Sequence, residues 1–389
     1  MVRMIITRRD LLKAAGASWV LGQLGCPGFI APDRSSKELL TRQEDPFNAE
    51  PRLDHLLESW VTPYRSFYVR SHGNQPAVNP DQYALVVEGL VERPLQLRLE
   101  DLERVPKITT TATMQCAGNR RSEHSRTKKT GGVQWDAGAI GTAEWRGPRL
   151  SDLLGRAGLK PGAKHVWFEG KDSVTLKDRQ TLFGGGVPIE KALKPDTLLA
   201  LEMNGLPLAR EHGYPVRTVV PGYIGARSVK WLGRIVVADR PSENNFVARD
   251  YKLFPPEATA ETVKPESYDP IYEFVLASAI CKPLAGETIA AGKLEVGGYA
   301  VPPGMDGVTV ASVQVSGDGG STWTPAEFVG KEAPFAWRLW KAKIEVQPGL
   351  RTLIVKAVDS RGQVQPEQAP WNFKGYLYNG WHRVPITVL

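Results

Sequence analysis

Past Asp250 the chain stops mixing its elements and becomes a series of short alternating stretches separated by turns, and this change of texture constrains the fold more than any other feature. Val308-Thr309-Val310-Ala311-Ser312-Val313-Gln314-Val315, Trp337 to Val346 and Leu353 to Val358 follow the two-residue period of strands that bury one face. Gly317-Asp318-Gly319-Gly320 and Pro348-Gly349 fall between them as turn signals. That spacing predicts an all-β sandwich of immunoglobulin-like size. Pro255-Pro256 and Pro265 form a stiff joint ahead of it, which puts the boundary near residue 255.

Before the joint, elements of both kinds alternate irregularly. Tyr83 to Gly89 and Leu95-Gln96-Leu97-Arg98-Leu99 read as strands, Glu100-Asp101-Leu102 opens a short helix, and Leu150 to Ala157 is helical. Lys164 to Glu169 and Arg217 to Val220 read as further strands. No regular βαβ period links them, so the class is α+β rather than doubly wound. Gly184-Gly185-Gly186 is not followed by Lys-Ser/Thr, which excludes a phosphate-binding loop and suggests a turn. A chain of 389 residues exceeds a single core. The expected organisation is a tail over 1–50, a mixed α+β unit over 51–255 and the sandwich over 256–389.

The tail carries Thr7-Arg8-Arg9-Asp10-Leu11-Leu12-Lys13 ahead of a modest apolar stretch, Ala14 to Leu24. Twin arginines in that setting predict a Tat export signal and a periplasmic destination, and the stretch is too short for a stable membrane span. Gln23 stands where a lipid-attachment site before Cys26 would need an aliphatic residue. Ala31 to Pro51 is polar, holds Pro32 and Pro46, and reads as linker.

The net charge of +7 favours anionic partners. No basic run interleaved with aromatics suits nucleic acid, and 42 acidic residues dilute the positive charge, so a small anion is the better match. Cys26, Cys116 and Cys281 are too few and too scattered for a disulfide framework or zinc cluster, and no CxxCH haem signature occurs. Redox chemistry here requires a cofactor held by few protein bonds.

One of these cysteines sits in an unusual turn, Thr113-Met114-Gln115-Cys116-Ala117-Gly118-Asn119-Arg120-Arg121. The β-branched run from Ile108 to Met114 predicts a buried strand, and Gly118-Asn119 predicts a sharp bend after the sulfur. Guanidinium groups favour a thiolate, the form that binds soft metals. Taken alone, the turn also suits an inert buried thiol. Three further stretches gather cations and aromatics: Phe67 to Asn74, with Arg70, Ser71 and His72; His212 to Trp231, with Arg217, Ser228, Val229 and Lys230; and Asp250-Tyr251-Lys252.

Together these stretches resemble the sulfite oxidase family of molybdenum enzymes. The turn from Gln115 to Arg121 is similar to that family's molybdenum-ligand motif, and His212 to Trp231 matches over nearly its whole length. Trp135 to Ile140, Ser278 to Pro283, and Trp371-Asn372-Phe373 through Asn379-Gly380-Trp381-His382-Arg383-Val384 add to the likeness, which spans Leu53 to Val384. The resemblance implies that Cys116 ligates molybdenum in a molybdopterin cofactor. It implies that Ser71, His72, Asp172, His212, Arg217, Ser228, Val229 and Lys230 hold the pterin and its phosphate. It assigns Arg70, Arg121, Trp135 and Tyr251 to a pocket for sulfite, where planar, permanently charged donors suit a small dianion.

The implied activity is oxo transfer to sulfite, giving sulfate, with two electrons leaving to an external acceptor: a c-type cytochrome, or dioxygen as in plant members. The sandwich resembles the family's dimerisation domain and implies a homodimer. A sulfane dehydrogenase-type subunit, a nitrate or sulfoxide reductase, and an anion-binding protein without the chemistry are the alternatives. One departure stands out: Phe335 and Lys331, not an arginine, precede Ala336-Trp337-Arg338-Leu339-Trp340. Either Lys331 substitutes for that arginine, or the pocket is less positive than in the family.

Overall fold

The computed structural model describes residues 38–177 and 179–389. The twin-arginine segment and Cys26 lie outside the described residues. None of the described helices is long and apolar enough to cross a membrane.

The first domain is built on two sheets. One is mixed and five-stranded, in the order Leu95–Arg98, Ala84–Gly89, Leu232–Ala238, His165–Leu176, Arg179–Pro188, and its only parallel pair is Ala84–Gly89 with Leu232–Ala238. The other is antiparallel, in the order Leu206–Pro207, Glu202–Met203, Ile140–Pro148, Lys107–Gln115. The β-branched run thus forms the strand Lys107–Gln115, whose burial deepens toward its C-terminal end, where Cys116 follows. The helix Leu150–Ala157 sits where the sequence places it and buries Leu150, Leu153, Leu154 and Ala157 along one stripe.

The second domain is a two-sheet sandwich, so the chain is α+β followed by all-β. One sheet runs Ala277–Lys282, Gly292–Val301, Arg338–Val346, Glu327–Val329; the other runs Thr288–Ile289, His382–Val388, Gly349–Asp359, Val310–Ser316, Thr324–Pro325. Ile280, Val296, Trp340 and Ile344 of the first face Val313, Val315, Leu353, Val355 and Ile386 of the second across a dry core. The domains are not separate bodies in packing. A single cluster runs from Leu85, Val87 and Leu154 to Ala277, Tyr299, Trp337 and Leu339. Trp337 N donates to Thr113 Oγ1 at 2.8 Å and its indole to the Trp60 carbonyl at 2.9 Å, tying the sandwich to the strand that leads to Cys116.

Two expectations are corrected. Residues 39–51 are no linker: Leu39–Gln43 and Asn48–Pro51 form an antiparallel hairpin, with Asn48, Ala49 and Glu50 fully buried. What anchors it is polar. Glu50 accepts the amides of Asp136 at 2.8 Å and Gly138 at 2.9 Å and pairs with Arg42 at 2.5 Å. Gly184, Gly185 and Gly186 form no turn either. They lie inside the strand Arg179–Pro188, opposite Glu169, Phe168 and Trp167, because a Cβ at Gly184 or Gly185 would stand 2.6 Å from Asn244 Nδ2 or 2.8 Å from a Val229 methyl.

His382 opens the final strand and uses its neutral Nδ1 to accept the Ile280 amide at 3.0 Å. Burial holds its pKa down to about 4. The unfolded chain takes up a proton near pH 6.5 and the folded chain does not, so stability falls as pH drops from about 6.5 to about 4, by roughly 3 kcal/mol for this group. We expect melting temperature to decline over that window, and to decline less in His382→Asn, which keeps an acceptor and removes the titration; equal slopes would show that His382 is not responsible.

Candidate functional site

Cys116 ends its strand and is nearly buried, at 7% exposure. Its amide donates to the Ala139 carbonyl at 2.9 Å, and its sulfur lies 3.4 Å from the Gly118 amide. The left-handed residue of the bend is Arg120, with φ 65°, rather than Gly118 or Asn119. Gly118 is needed for a different reason: a Cβ there would stand 2.5 Å from the Arg121 guanidinium. Asn119 locks the turn, accepting the Ala139 amide at 3.0 Å and donating to Tyr299 Oη of the sandwich at 3.1 Å. Arg120 is fully buried, pairs with Glu123 at 2.6 Å and donates to the Ser278 carbonyl, which makes it an interdomain brace. Cys281 is the contrasting case: it is wholly buried, and burial pushes its thiol pKa up.

Cys116 faces a cleft with about 600 Å³ of empty space, lined also by Arg70, Ser71, His72, Asp172, His212, Arg217, Ser228, Lys230 and Tyr251. At one side Arg217 is 3% exposed. Its hydrogen bonds go to the His212 carbonyl at 3.1 Å, the Ser228 carbonyl at 2.9 Å and Met114 Sδ at 2.9 Å, and its guanidinium lies over the Trp145 ring. Burial lowers its pKa to about 10. Lys230 Nζ donates to the Glu211 carbonyl at 2.7 Å and Ser71 Oγ at 3.3 Å, and burial followed by Arg217 pushes its pKa down. His212 and His72 are held neutral by burial and by neighbouring cations. These cations are desolvated among carbonyl dipoles, an arrangement that an entering anion relieves.

On the other side stand Arg70 and Tyr251. Arg70 donates to Asn48 Oδ1 at 3.2 Å and to the Ser71 carbonyl, and the Ser71 amide donates to the same Asn48 oxygen at 2.8 Å. Tyr251 Oη lies 2.8 Å from His72 Nε2, and His72 stacks on Phe183. Burial raises the Tyr251 pKa, so its hydroxyl keeps its proton at neutral pH. Asn48 was missed in the sequence because it lies in the stretch read as linker.

Three expected residues do not line the cleft. Arg121 lies behind the Cys116 turn, with Nε donating to the Lys374 carbonyl at 3.0 Å and Nη1 to the Val133 carbonyl at 2.8 Å. Trp135 is fully buried, and its indole N–H has no partner among the described residues. Val229 is buried in the core behind the cations. Lys331 is exposed and does not line the cleft. The second domain instead brings Lys374, whose Nζ pairs with Asp250 at 2.6 Å beside Tyr251. The stretch Trp371-Asn372-Phe373 was noticed in the sequence, but nothing there told that its next residue pairs with Asp250 beside Tyr251.

Whether a molybdopterin suits this cleft can be tested on its donors. Among the described residues no three His, Cys, Asp or Glu side chains cluster for a metal, so a metal here would rely on few protein bonds, and Cys116 is the soft donor at the wall. Asp172 Oδ1 is buried without a partner and burial raises its pKa, which suits a carboxyl group turned to a ligand's N–H groups. With Arg217, Lys230 and Ser228 opposite, the cleft offers acceptors for a heterocycle and donors for a phosphate. The residues fit the group.

The family model for an oxidoreductase molybdopterin binding domain matches residues 72–246, and that for a Mo-co oxidoreductase dimerisation domain matches residues 268–389. The mitochondrial sulfite oxidase of Homo sapiens is 42% identical over 404 residues, covering 98% of this chain and 72% of that protein. The sulfite oxidase of Arabidopsis thaliana is 38% identical, covering 93% and 98%. NADH nitrate reductase 1 of Phaseolus vulgaris is 36% identical over 91% of this chain but only 43% of its own length. Among solved structures, the sulfane dehydrogenase SoxCD from Paracoccus pantotrophus superposes with a TM-score of 0.75 at 30% identity, covering 88% of this chain and 85% of that one.

The electrostatics of Arg217 yield a sharp expectation. Arg217→Met removes a desolvated cation and keeps its volume, so the cofactor-free protein should melt no lower than wild type, while molybdenum and pterin contents fall at least about tenfold. Metal analysis and pterin fluorescence, read beside thermal melts, check it; wild-type cofactor content would remove Arg217 from the binding set.

Proposed function

Because the chain belongs to the sulfite oxidase family of molybdopterin-dependent oxidoreductases, we propose that it oxidises sulfite to sulfate and passes the two electrons to an external acceptor. The reaction consumes one water and releases two protons with the two electrons. The observation that carries this reading is the meeting of Cys116, Arg70, Tyr251, the buried Arg217 and the half-buried Lys230 in one cleft, in a chain this similar to two sulfite oxidases.

Cys116 would hold the molybdenum, Asp172 and His212 the pterin, and Arg217, Ser228 and Lys230 its phosphate. When bound, the cofactor supplies oxygen-atom transfer and accepts the two electrons. The chain's own residues do the rest. Arg70 is half-buried and offers a planar, permanently charged donor, held in place by Asn48, so sulfite enters a fixed field rather than gathering donors around itself. Tyr251 remains protonated, and in the His72 tautomer with its proton on Nε2 the imidazole would donate to the Tyr251 oxygen and leave the hydroxyl proton for the anion. Phe183 and Phe246 beside His72 limit water on that side.

The electron acceptor is proposed to be a c-type cytochrome, reached in the periplasm after Tat export, with dioxygen as the alternative. The domain at residues 268–389 supports a homodimer. The likeness to a sulfane dehydrogenase supports a second reading, oxidation of a protein-bound sulfur; a pocket based on Arg70 and Tyr251 suits a free oxyanion better.

Purified, molybdenum-loaded protein should reduce cytochrome c or dioxygen with sulfite, and not with thiosulfate; the absence of sulfite turnover with either acceptor overturns the reading. Arg70→Gln should raise the KM for sulfite by about 10- to 100-fold with molybdenum content intact, and KM should rise with ionic strength because screening weakens attraction of a dianion. Parallel loss of metal in the Arg70 variant would instead assign Arg70 to the cofactor.

A further inference from the structure

The loop Trp371 to Tyr378 crosses from the sandwich to the catalytic side. It is closed on itself by Asn372, which accepts the Tyr376 amide at 3.0 Å and donates to the Tyr376 carbonyl at 2.9 Å. It is fastened outward through Trp371, whose indole donates to the Lys128 carbonyl at 2.9 Å, and through the Leu377 amide, which donates to the Ala117 carbonyl beside Cys116 at 2.8 Å. Such a loop can hold a side chain to a single position.

The side chain it holds is Tyr376, 6% exposed. Its ring stacks on Tyr251 with centroids 5.1 Å apart and planes at 21°, and the Arg121 guanidinium carbon lies 5.2 Å from its centroid. Its hydroxyl is 3.4 Å from Asp250 Oδ2, the carboxylate whose other oxygen pairs with Lys374. Tyr376 therefore touches both Tyr251 and Arg121 while lining no part of the cleft itself. Arg121 is further boxed by the loop: a Cβ at Gly375 would stand 2.6 Å from its Cγ.

We propose that Tyr376 is a positioning residue for anion binding, which holds the Tyr251 hydroxyl at the cleft from the second domain and is itself braced by Arg121. Offset stacking and cation–π contact have defined geometries, and a ring that Arg121 holds by its cation holds in turn the Tyr251 ring stacked on it. A site whose donors are fixed before the anion arrives loses little on binding it. Freed from that ring, Tyr251 loses its stacked neighbour and is left with its bond to His72 and its looser contacts with Phe246 and Arg227. The expected defect is thus in anion affinity and orientation rather than in the metal. The inference rests on the sulfite reading.

The test compares molybdenum-loaded wild type with Tyr376→Leu and Tyr376→Phe. In Tyr376→Leu the KM for sulfite should rise about tenfold or more, with kcat reduced by less than about threefold and molybdenum content unchanged. Tyr376→Phe keeps the ring and should bring the KM back to within about threefold of wild type. A second readout needs no turnover: sulfate should raise the melting temperature of the wild-type holoenzyme, and Tyr376→Leu should need about tenfold more sulfate for the same rise. An unchanged KM and sulfate response in Tyr376→Leu, or a Phe variant as impaired as the Leu variant, overturns the inference alone. A wild-type enzyme with no sulfite turnover and no sulfate response overturns the functional reading, and the inference falls with it. Should Tyr376→Leu fail to load metal, the role is structural and the inference is likewise overturned.

Discussion

A buried guanidinium satisfied by carbonyl oxygens and a thioether, as at Arg217, is costly in an empty protein, and the rest of the catalytic domain is arranged so that it persists. Trp145 lies against one face of the group, the His212 and Ser228 carbonyls take its N–H groups, and Lys230 adds like charge nearby. The two carbonyls satisfy its hydrogen bonds without neutralising its charge. The cleft is therefore specific for anions before any ligand arrives, and the energy withheld in the empty state returns when a phosphate enters. Neutral histidines at His72 and His212 fit the same logic, since protonation there would add to the repulsion.

Much of this was legible in the sequence, for identifiable reasons. The strand before Cys116 announces itself through β-branched residues, the helix from Leu150 through its apolar stripe, and the sandwich through alternation. What failed to show was burial achieved by polar means. The hairpin at residues 39–51 has no apolar period because Glu50 and Asn48 anchor it by accepting amides and pairing with Arg42 and Arg70. Three consecutive glycines look like a turn, yet here they thin a strand so that Asn244 and Val229 can approach it.

The second domain's cation stayed hidden for a different reason. Lys331 is near in sequence to a stretch that contacts the Cys116 strand, but proximity along the chain does not say which loop points inward. Lys374 reaches Asp250 because Asn372 closes its loop and Trp371 and Leu377 fasten it to the first domain. Interdomain geometry of this kind is set by long-range hydrogen bonds, and no local pattern encodes it. Packing agrees, since the core around Trp337 and Tyr299 runs without a break from one domain into the other.

The site draws on residues from Asn48 to Tyr376, which spans nearly the whole described chain. During synthesis the Cys116 turn emerges early, but its fastening at Ala117 and the carbonyl that receives Arg121 are translated only with the last score of residues. A nascent chain therefore has the thiol and the cleft's cations long before it has the loop that fastens the Cys116 turn, and the Ala117 carbonyl and the Arg121 guanidinium wait for their partners until translation is all but finished.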